Sequence, residues 1–142
     1  EDFGYLHPGG TIGKRLLLDV SDVMYEEIPR TEPDDTLARA AMKMSEGGKG
    51  IAVVQDDEGR VLGILTDGDI RRLIESGIDF QDKVANEVMI EDPITISPDE
   101  PAIRALNIIE DYGITQLVVT GSDDAFRGVV HFHDIVQEGL ST

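Results

Sequence analysis

The stretch Gly63-Ile64-Leu65-Thr66-Asp67-Gly68-Asp69-Ile70 decides how this chain is organised, because it recurs in weaker form. The second copy is Gly128-Val129-Val130-His131-Phe132-His133-Asp134-Ile135. The spacing between Gly63 and Gly128 holds without a gap when positions 21–70 are aligned with 86–135, and thirteen aligned positions are identical. Unrelated segments share several times fewer identities by chance. The sequence therefore predicts one supersecondary unit that is used twice.

Each copy shows the same order of periodic patterns: strand, helix, strand, strand, helix. In the first copy we predict a strand at 28–31, a helix starting near Asp34 or Asp35 and closed by Gly47 and Gly48, strands at 51–54 and 61–65, and a helix at 67–75. In the second copy we predict a strand at 94–96, a helix opened by 99–101 with Pro101 in its first turn, strands at 116–120 and 127–130, and a helix from Asp134. A helical turn at 21–24, capped by Ser21, comes before the first of these strands.

The predicted helices carry apolar stripes at helical spacing. These are Leu37, Ala40, Ala41 and Met44; Ile70, Leu73 and Ile74; and Ala102, Ala105, Leu106 and Ile109. We therefore predict an α/β fold, with a connector at 1–20, a first repeat at 21–78, a linker at 79–85 and a second repeat at 86–142. A repeat of about 60 residues is marginal by itself, so we expect the two repeats to pack as a pseudo-symmetric pair.

Composition excludes several functions. The net charge of −17 repels nucleic acid and anionic lipid, so we expect neither as a partner. The chain has no cysteine, which excludes disulfides and thiolate chemistry. No apolar run is long enough for a membrane-spanning helix and no signal-peptide pattern is present, so we expect a cytoplasmic protein. The chain starts at Glu1 instead of Met, and we expect it to be part of a longer protein.

Thr66 and Asp69 are the first candidate site residues, and their spacing has two interpretations. Thr-x-x-Asp at a helix start approximates a capping box, in which each side chain satisfies a backbone N–H of the first turn. The same helix N-terminus could also face an anion, because its N–H groups and dipole favour negative charge. The two interpretations are compatible, and the sequence leaves both open.

Other candidates are basic or lie in the second copy. Lys49, between two glycines, and Arg71 and Arg72, in the first turns of a helix, are candidate phosphate contacts. In the second copy Asp134 matches Asp69, but His131 stands where the first copy has Thr66, so we expect a weaker site there. His131, His133 and Asp134 lack a convincing fourth ligand for zinc, and we predict no metal site.

The repeated pattern resembles the CBS domain, and two copies in tandem resemble a CBS pair, or Bateman module. The Gly-x-x-Thr-x-x-Asp-Ile motif at 63–70 carries most of this resemblance. The segment from His7 to Met24, with Thr66–Arg72 and His131–Ile135, is similar to the D-arabinose-5-phosphate isomerase family, in which a sugar isomerase domain precedes the CBS pair. His7 resembles an active-site histidine of that isomerase domain, which is otherwise missing here.

The resemblance implies that Asp69 binds the two ribose hydroxyls of a nucleotide and that Thr66 meets its phosphate. It implies a parent enzyme that interconverts ribulose 5-phosphate and arabinose 5-phosphate for synthesis of Kdo, a sugar of lipopolysaccharide or capsule. We therefore expect a regulatory module attached to its own isomerase domain, homo-oligomeric as a dimer or tetramer. It would need no cofactor and would bind an adenine nucleotide or CMP-Kdo in the cleft between repeats.

Two other functions remain open at this stage. The chain could be a purely structural oligomerisation module that binds no small molecule. It could also be a catalytic fragment, but outside His7 the sequence contains no acid–base constellation, so we expect no isomerase activity from this chain alone.

Overall fold

The computed structural model describes residues 18–137, which form two β-sheets flanked by helices, as an α/β fold requires. The fold class predicted from the sequence is confirmed. The N-terminal segment that contains His7 lies outside the described residues. Within the described part of the chain, no helix has the length and apolar character needed to cross a membrane.

Two sets of elements follow one another at the predicted spacing. The first set is α1 (Val20–Val23), β1 (Arg30–Thr31), α2 (Leu37–Gly47), β2 (Ile51–Gln55), β3 (Val61–Thr66) and α3 (Asp67–Glu75). The second set is α4 (Ala85–Val88), β4 (Ile90–Glu91), β5 (Thr95–Ile96), α5 (Ala102–Tyr112), β6 (Gln116–Thr120), a 3-10 turn (Ser122–Asp124), β7 (Phe126–His131) and α6 (Phe132–Gln137). Apart from β4 and the 3-10 turn, every element of the second set is offset from its counterpart by the spacing that separates Gly63 from Gly128.

The chain forms two compact units. Unit A contains residues 27–93 and 122–126, and the described part of unit B contains residues 18–26, 94–121 and 127–137. In unit A the sheet order is β1-β2-β3-β4, with β1 parallel to β2 and the other neighbours antiparallel. In the other sheet the order is β5-β6-β7, with β5 parallel to β6.

The short segment at the start of each predicted repeat packs in the unit formed mainly by the other repeat. In unit B the N–H of Ala102 donates to the carbonyl of Leu18 at 2.9 Å, and Tyr25 pairs with Val129. In unit A the equivalent residues make the same contacts. The Leu37 N–H donates to the Lys83 carbonyl at 2.8 Å, and Ile90 pairs with Ile64. The compact units therefore differ from the continuous repeats 21–78 and 86–142.

The predicted apolar stripes form the two cores, with two exceptions. Leu37, Ala40 and Met44 are buried in unit A, and Ala102, Ala105, Leu106 and Ile109 are buried in unit B. Ala41 is only half-buried. Ile74 is 63% exposed, so its assignment to the stripe of α3 was wrong. Ile70 and Leu73 already cover the core-facing side of that helix, and one further residue turns the side chain about 100° away.

Several helix boundaries differ from the prediction because nearby side chains have other partners. Helix α2 begins at Leu37, with the Thr36 hydroxyl accepting from the Arg39 N–H at 3.1 Å. Asp35 stays in the preceding turn, bound to Thr31 and Glu32. Helix α5 has Pro101 at its N-cap position instead of in its first turn.

The remaining differences are small shifts of the helix ends. Helix α1 starts after Asp19, so Ser21 is inside it and does not cap it. Helix α6 starts at Phe132, slightly before the predicted Asp134, and the Phe132 N–H is anchored on the Thr115 carbonyl. The left-handed residue that closes α2 is Gly48, with φ 69°, and Gly47 is the last helical residue.

We expect Asp35→Asn to lower the free energy of unfolding by about 1–2 kcal/mol at pH 7, because the Asp35 carboxylate accepts charge-assisted hydrogen bonds. Burial raises the pKa of Asp35, but hydrogen bonds from the Thr31 hydroxyl (2.6 Å), the Glu32 N–H (2.9 Å) and the Lys43 ammonium (3.1 Å) outweigh it and lower this pKa to about 2.

A folded-state pKa below the unfolded value of about 3.9 gives stability that is present above that pH and lost as the pH falls towards 2. The difference between wild type and Asp35→Asn should therefore shrink over this range in urea titrations. Asp34→Asn, at the neighbouring position, which lacks these hydrogen bonds in the described structure, is the control and should change little. A difference that is the same at pH 7 and pH 2.5 would contradict this role of Asp35.

Candidate functional site

A cleft of about 330 Å³ lies in unit A beside the start of α3. The C-terminal half of α2, the loop after it and the first turn of α3 surround this cleft. Its lining residues are Ala41, Met44, Ser45, Gly48, Gly50, Asp67 and Ile70. Apolar side chains form one wall, whereas glycine backbone and a carboxylate form much of the rest. Such a combination suits a ligand with a flat apolar part and a polar part.

Two glycines let the loop between α2 and β2 approach α3 closely. Gly48 and Gly50 have φ of 69° and 72°, values that other residues rarely adopt. The Gly50 carbonyl accepts from the Asp67 N–H at 3.0 Å. A Cβ on Gly50 would lie 2.9 Å from the Asp67 carboxylate. The two glycines therefore allow the loop that lines the cleft to contact the start of α3.

Thr66 and Asp69 form a capping box at the same helix start. The Thr66 hydroxyl accepts from the Asp69 N–H at 3.3 Å, and the Asp69 carboxylate accepts from the Thr66 N–H at 3.2 Å and from its hydroxyl at 2.7 Å. The other oxygen of Asp69 accepts from Arg72, whose side chain is 70% exposed. The capping role inferred from the spacing is therefore present, next to the cleft.

The three basic candidates surround this region without lining the cleft. Lys49 is exposed on the loop between two lining glycines. Arg71 and Arg72 are exposed on α3, and Arg72 reaches back over Gly68, where an added Cβ would lie 3.5 Å from the guanidinium. These long side chains could reach an anion at the helix start, but the structure does not place them in the cleft.

Sequence reasoning missed most of the lining residues. Ala41 and Met44 were assigned to the core because their spacing is helical, and Asp67 was not singled out. The available signal was the concentration of small residues, Ala41, Gly48 and Gly50, where the chain turns from helix to strand. Small residues there leave space between a helix and its neighbour instead of filling it.

The counterpart region of unit B is organised differently. Asp134, which corresponds to Asp69, accepts a short hydrogen bond from the Tyr25 hydroxyl. His131 replaces Thr66, and its Nδ1 accepts from the His133 N–H at 3.0 Å while the two imidazole rings stack at 5.1 Å. In the described part of the chain, no three His, Cys, Asp or Glu side chains are grouped so that they could hold a metal ion.

We expect Tyr25→Phe to lower the free energy of unfolding by about 1–3 kcal/mol at neutral pH, because it removes a hydrogen bond to the partly buried Asp134 carboxylate. That hydrogen bond, with burial and the Asp134 charge, raises the pKa of Tyr25. A raised folded-state pKa gives stability that is present below the ordinary value of about 10 and lost as the pH rises through the raised value.

Urea titrations at pH 7 and above pH 10 should therefore show a mutational effect that is smaller at alkaline pH. Tyr112→Phe is the matched control, because Tyr112 is 63% exposed, and it should leave the unfolding midpoint unchanged. Equal effects of Tyr25→Phe and Tyr112→Phe would show that the Tyr25 hydroxyl does not stabilise unit B.

Comparison with known proteins agrees with this architecture. The CBS domain family matches residues 20–76 and 84–141. The chain is 41% identical over 142 residues to the arabinose 5-phosphate isomerase KdsD of Yersinia pestis, and 36% identical to that of Escherichia coli K12. Each match covers 99% of this chain but only 43% of the relative. The chain thus spans less than half the length of these curated relatives.

Solved structures with this fold include CBS proteins with bound ligands. A CBS domain protein of Pyrobaculum aerophilum complexed with AMP has a TM-score of 0.75 at 20% identity, covering 82% of this chain and 89% of that one. The CBS domain pair of protein MJ0100, in complex with 5′-methylthioadenosine and S-adenosyl-L-methionine, has a TM-score of 0.76 at 22% identity, covering 84% and 94%. At these identities the likeness concerns the fold. With both family matches and the repeated elements in place, this chain belongs to the CBS domain family, as two CBS domains in tandem.

Proposed function

We propose that this chain is the regulatory CBS pair of a longer D-arabinose-5-phosphate isomerase and that it binds a nucleotide-type ligand in the cleft of unit A. The relatives whose CBS regions match 99% of this chain carry that isomerase name and are more than twice its length. In such a parent protein the interconversion of ribulose 5-phosphate and arabinose 5-phosphate would take place in an upstream domain, to which His7 would belong.

One observation carries the ligand proposal: an open cleft with an apolar wall lies directly beside the start of α3. The helix dipole favours an anion at this position, whereas the wall of Ala41, Met44 and Ile70 suits the face of a base. Two CBS structures of the same fold are complexes with adenosine compounds. An adenine nucleotide fits this combination of features, and CMP-Kdo, the activated sugar of the same pathway, is the second ligand to test.

The proposed roles follow from position. Thr66 and the start of α3 would face the phosphate, and Asp69 would accept hydrogen bonds from the ribose hydroxyls. In the structure Arg72 forms an ion pair with Asp69. The ribose hydroxyls would replace Arg72 as the partner of Asp69. The exposed Arg72 guanidinium could then turn to the phosphate, together with Lys49 and Arg71. Asp134 and His131 would contribute less, because Asp134 is already bound by Tyr25.

Regulation would follow from a shift in population. A ligand that binds one arrangement of the CBS pair more tightly than another biases the attached isomerase by the difference in the two affinities. We further propose that the parent protein is a homo-oligomer, a dimer or a tetramer, so that a bias in one chain can reach its neighbours. Light scattering of the purified chain gives its mass, and a monomer at high concentration would contradict this assembly.

A thermal-shift screen with AMP, ATP, S-adenosylmethionine and CMP-Kdo tests ligand binding directly. A ligand at one hundred times its Kd should add about 2.7 kcal/mol of stability. For a chain of this size that is a rise in Tm of roughly 5–10 °C. Ribose 5-phosphate, which lacks a base, is the matched control and should give a much smaller rise. A flat response to every nucleotide at millimolar concentration would instead favour a structural oligomerisation module.

A further inference from the structure

The internal repeat allows the two cleft regions to be compared position by position. The two regions share one backbone hydrogen bond: the Asp67 N–H donates to the Gly50 carbonyl at 3.0 Å in unit A, and the Phe132 N–H donates to the Thr115 carbonyl at 2.8 Å in unit B. The helix ends also correspond, with Gly48 at φ 69° and Gly113 at φ 65°. The backbone differs at one position of this loop, because Gly50 has φ 72° whereas Thr115 does not have a positive φ. At the shared positions, the side chains of the two regions can be compared directly.

The side chains differ in size, and at three positions the residue in unit B is larger than its counterpart in unit A. Ala41, Gly50 and Asp67 of unit A correspond to Leu106, Thr115 and Phe132 of unit B. Leu106 is fully buried in the core of unit B, and Phe132 packs against that core. In unit A, by contrast, Ala41 is half-buried and Asp67 is exposed. Unit B therefore has larger, more deeply packed side chains at positions that line the open cleft in unit A.

The two units also differ at polar positions around the cleft. Lys49 of unit A corresponds to Ile114 of unit B, which packs against the apolar core. Asp134 is bound by Tyr25, whereas the counterpart of Tyr25 in unit A is Ile90, which has no hydroxyl to offer Asp69. Unit B thus has an apolar residue where unit A has a cation. In unit B the Asp134 carboxylate is bound by Tyr25, whereas in unit A the Asp69 carboxylate is paired with the exposed Arg72.

We infer that unit B has lost its ligand site to its own side chains, with Leu106 and Phe132 in the place of a bound molecule. The chain then binds one nucleotide, in unit A, where Ala41, Gly50 and Asp67 determine that the cleft stays open. This inference rests on the proposed function for its ligand, but the packing difference on which it depends can be tested without any ligand.

The first test measures stoichiometry by equilibrium dialysis with radiolabelled AMP. Wild type should bind one AMP per chain. Ala41→Leu, which places in unit A the residue found in unit B, should weaken AMP binding by more than tenfold. Met42→Leu is the matched control, because Met42 is the next residue of the same helix and is 64% exposed; its Kd should equal that of wild type. Two AMP molecules per chain, or an unchanged Kd for Ala41→Leu, would overturn the inference.

The second test uses thermal unfolding without ligand. Leu106→Ala removes a fully buried side chain and should lower the Tm by roughly 10 °C, whereas Ala41→Leu should leave it unchanged or raise it. Phe132→Leu provides a milder variant, with a smaller fall, in case Leu106→Ala does not fold. If wild type binds no AMP, the proposed nucleotide binding is wrong. The thermal unfolding test then decides alone whether side chains fill this region of unit B. A Leu106→Ala protein as stable as wild type, or an Ala41→Leu protein that is destabilised as much, would refute self-filling of unit B.

Discussion

Gly63→Ala is expected to lower the free energy of unfolding by about 3 kcal/mol, since it forces a side chain into backbone that cannot move freely. A Cβ at this position would lie 2.6 Å from the Ile90 carbonyl oxygen and 2.6 Å from the Met89 sulfur. These atoms belong to the segment that pairs β4 with β3. Residues 84–93 form an exchanged segment, which lies at the start of the second repeat in the sequence but packs in unit A. To relieve the clash, this exchanged segment must shift away from the sheet of unit A.

Gly128→Ala is expected to have a similar effect in unit B. Its Cβ would lie 2.5 Å from the Tyr25 carbonyl oxygen and 3.1 Å from the Met24 sulfur. Gly68→Ala is the control, because there the nearest atom is the flexible Arg72 guanidinium at 3.5 Å, and alanine favours a helix over glycine by about 1 kcal/mol. Urea titration at neutral pH measures all three variants. If Gly63→Ala were as stable as Gly68→Ala, the close approach of the exchanged segment would not exist in solution.

Asp69→Ala is expected to reduce affinity for AMP by more than a hundredfold. If Asp69 holds the ribose, the substitution removes two hydrogen bonds to a charged acceptor, each contributing roughly 1.5–3 kcal/mol. The same change removes half of a capping box, which costs about 0.5–2 kcal/mol of stability. The two effects are separable because calorimetry measures the Kd, whereas urea titration measures the loss of the cap.

Asp134→Ala provides the internal control for that experiment. It removes the partner of Tyr25, so it should lower stability, but it should leave AMP affinity nearly unchanged. Circular dichroism should show both variants folded. A larger loss for Asp134→Ala would place the principal site in the second repeat, and equal losses would contradict a principal site in the first.

The sequence predicted the repeat and most elements, because helix and strand patterns are local and the constant spacing between the two copies is a property of the sequence itself. It did not predict that segments 18–26 and 84–93 exchange units, since nothing in a local pattern determines which copy a segment packs against. A sequence signal for these contacts was present in Gly63 and Gly128, because a glycine in a strand often marks a close backbone approach. Met89 and Met24 are the residues that approach them.

The site was predictable only in part. The Thr66–Asp69 spacing indicated a helix cap, and the structure contains it. The cleft was harder to predict because it is a space left by small residues, and helical periodicity assigned Ala41 to the core. The space becomes visible only when Ala41 is compared with Leu106 and Asp67 with Phe132, once the structure shows that both helix starts make the same backbone hydrogen bond.

Amide chemical-shift mapping of the isotope-labelled chain with AMP tests nucleotide binding in unit A most directly. Binding in the cleft should shift the amide signals of residues 48–50 and 66–70, which surround it. Residues 113–115 and 131–135, at the corresponding positions of unit B, should stay unchanged. Absence of any shift at millimolar AMP, or shifts confined to the unit B positions, would contradict the proposed site.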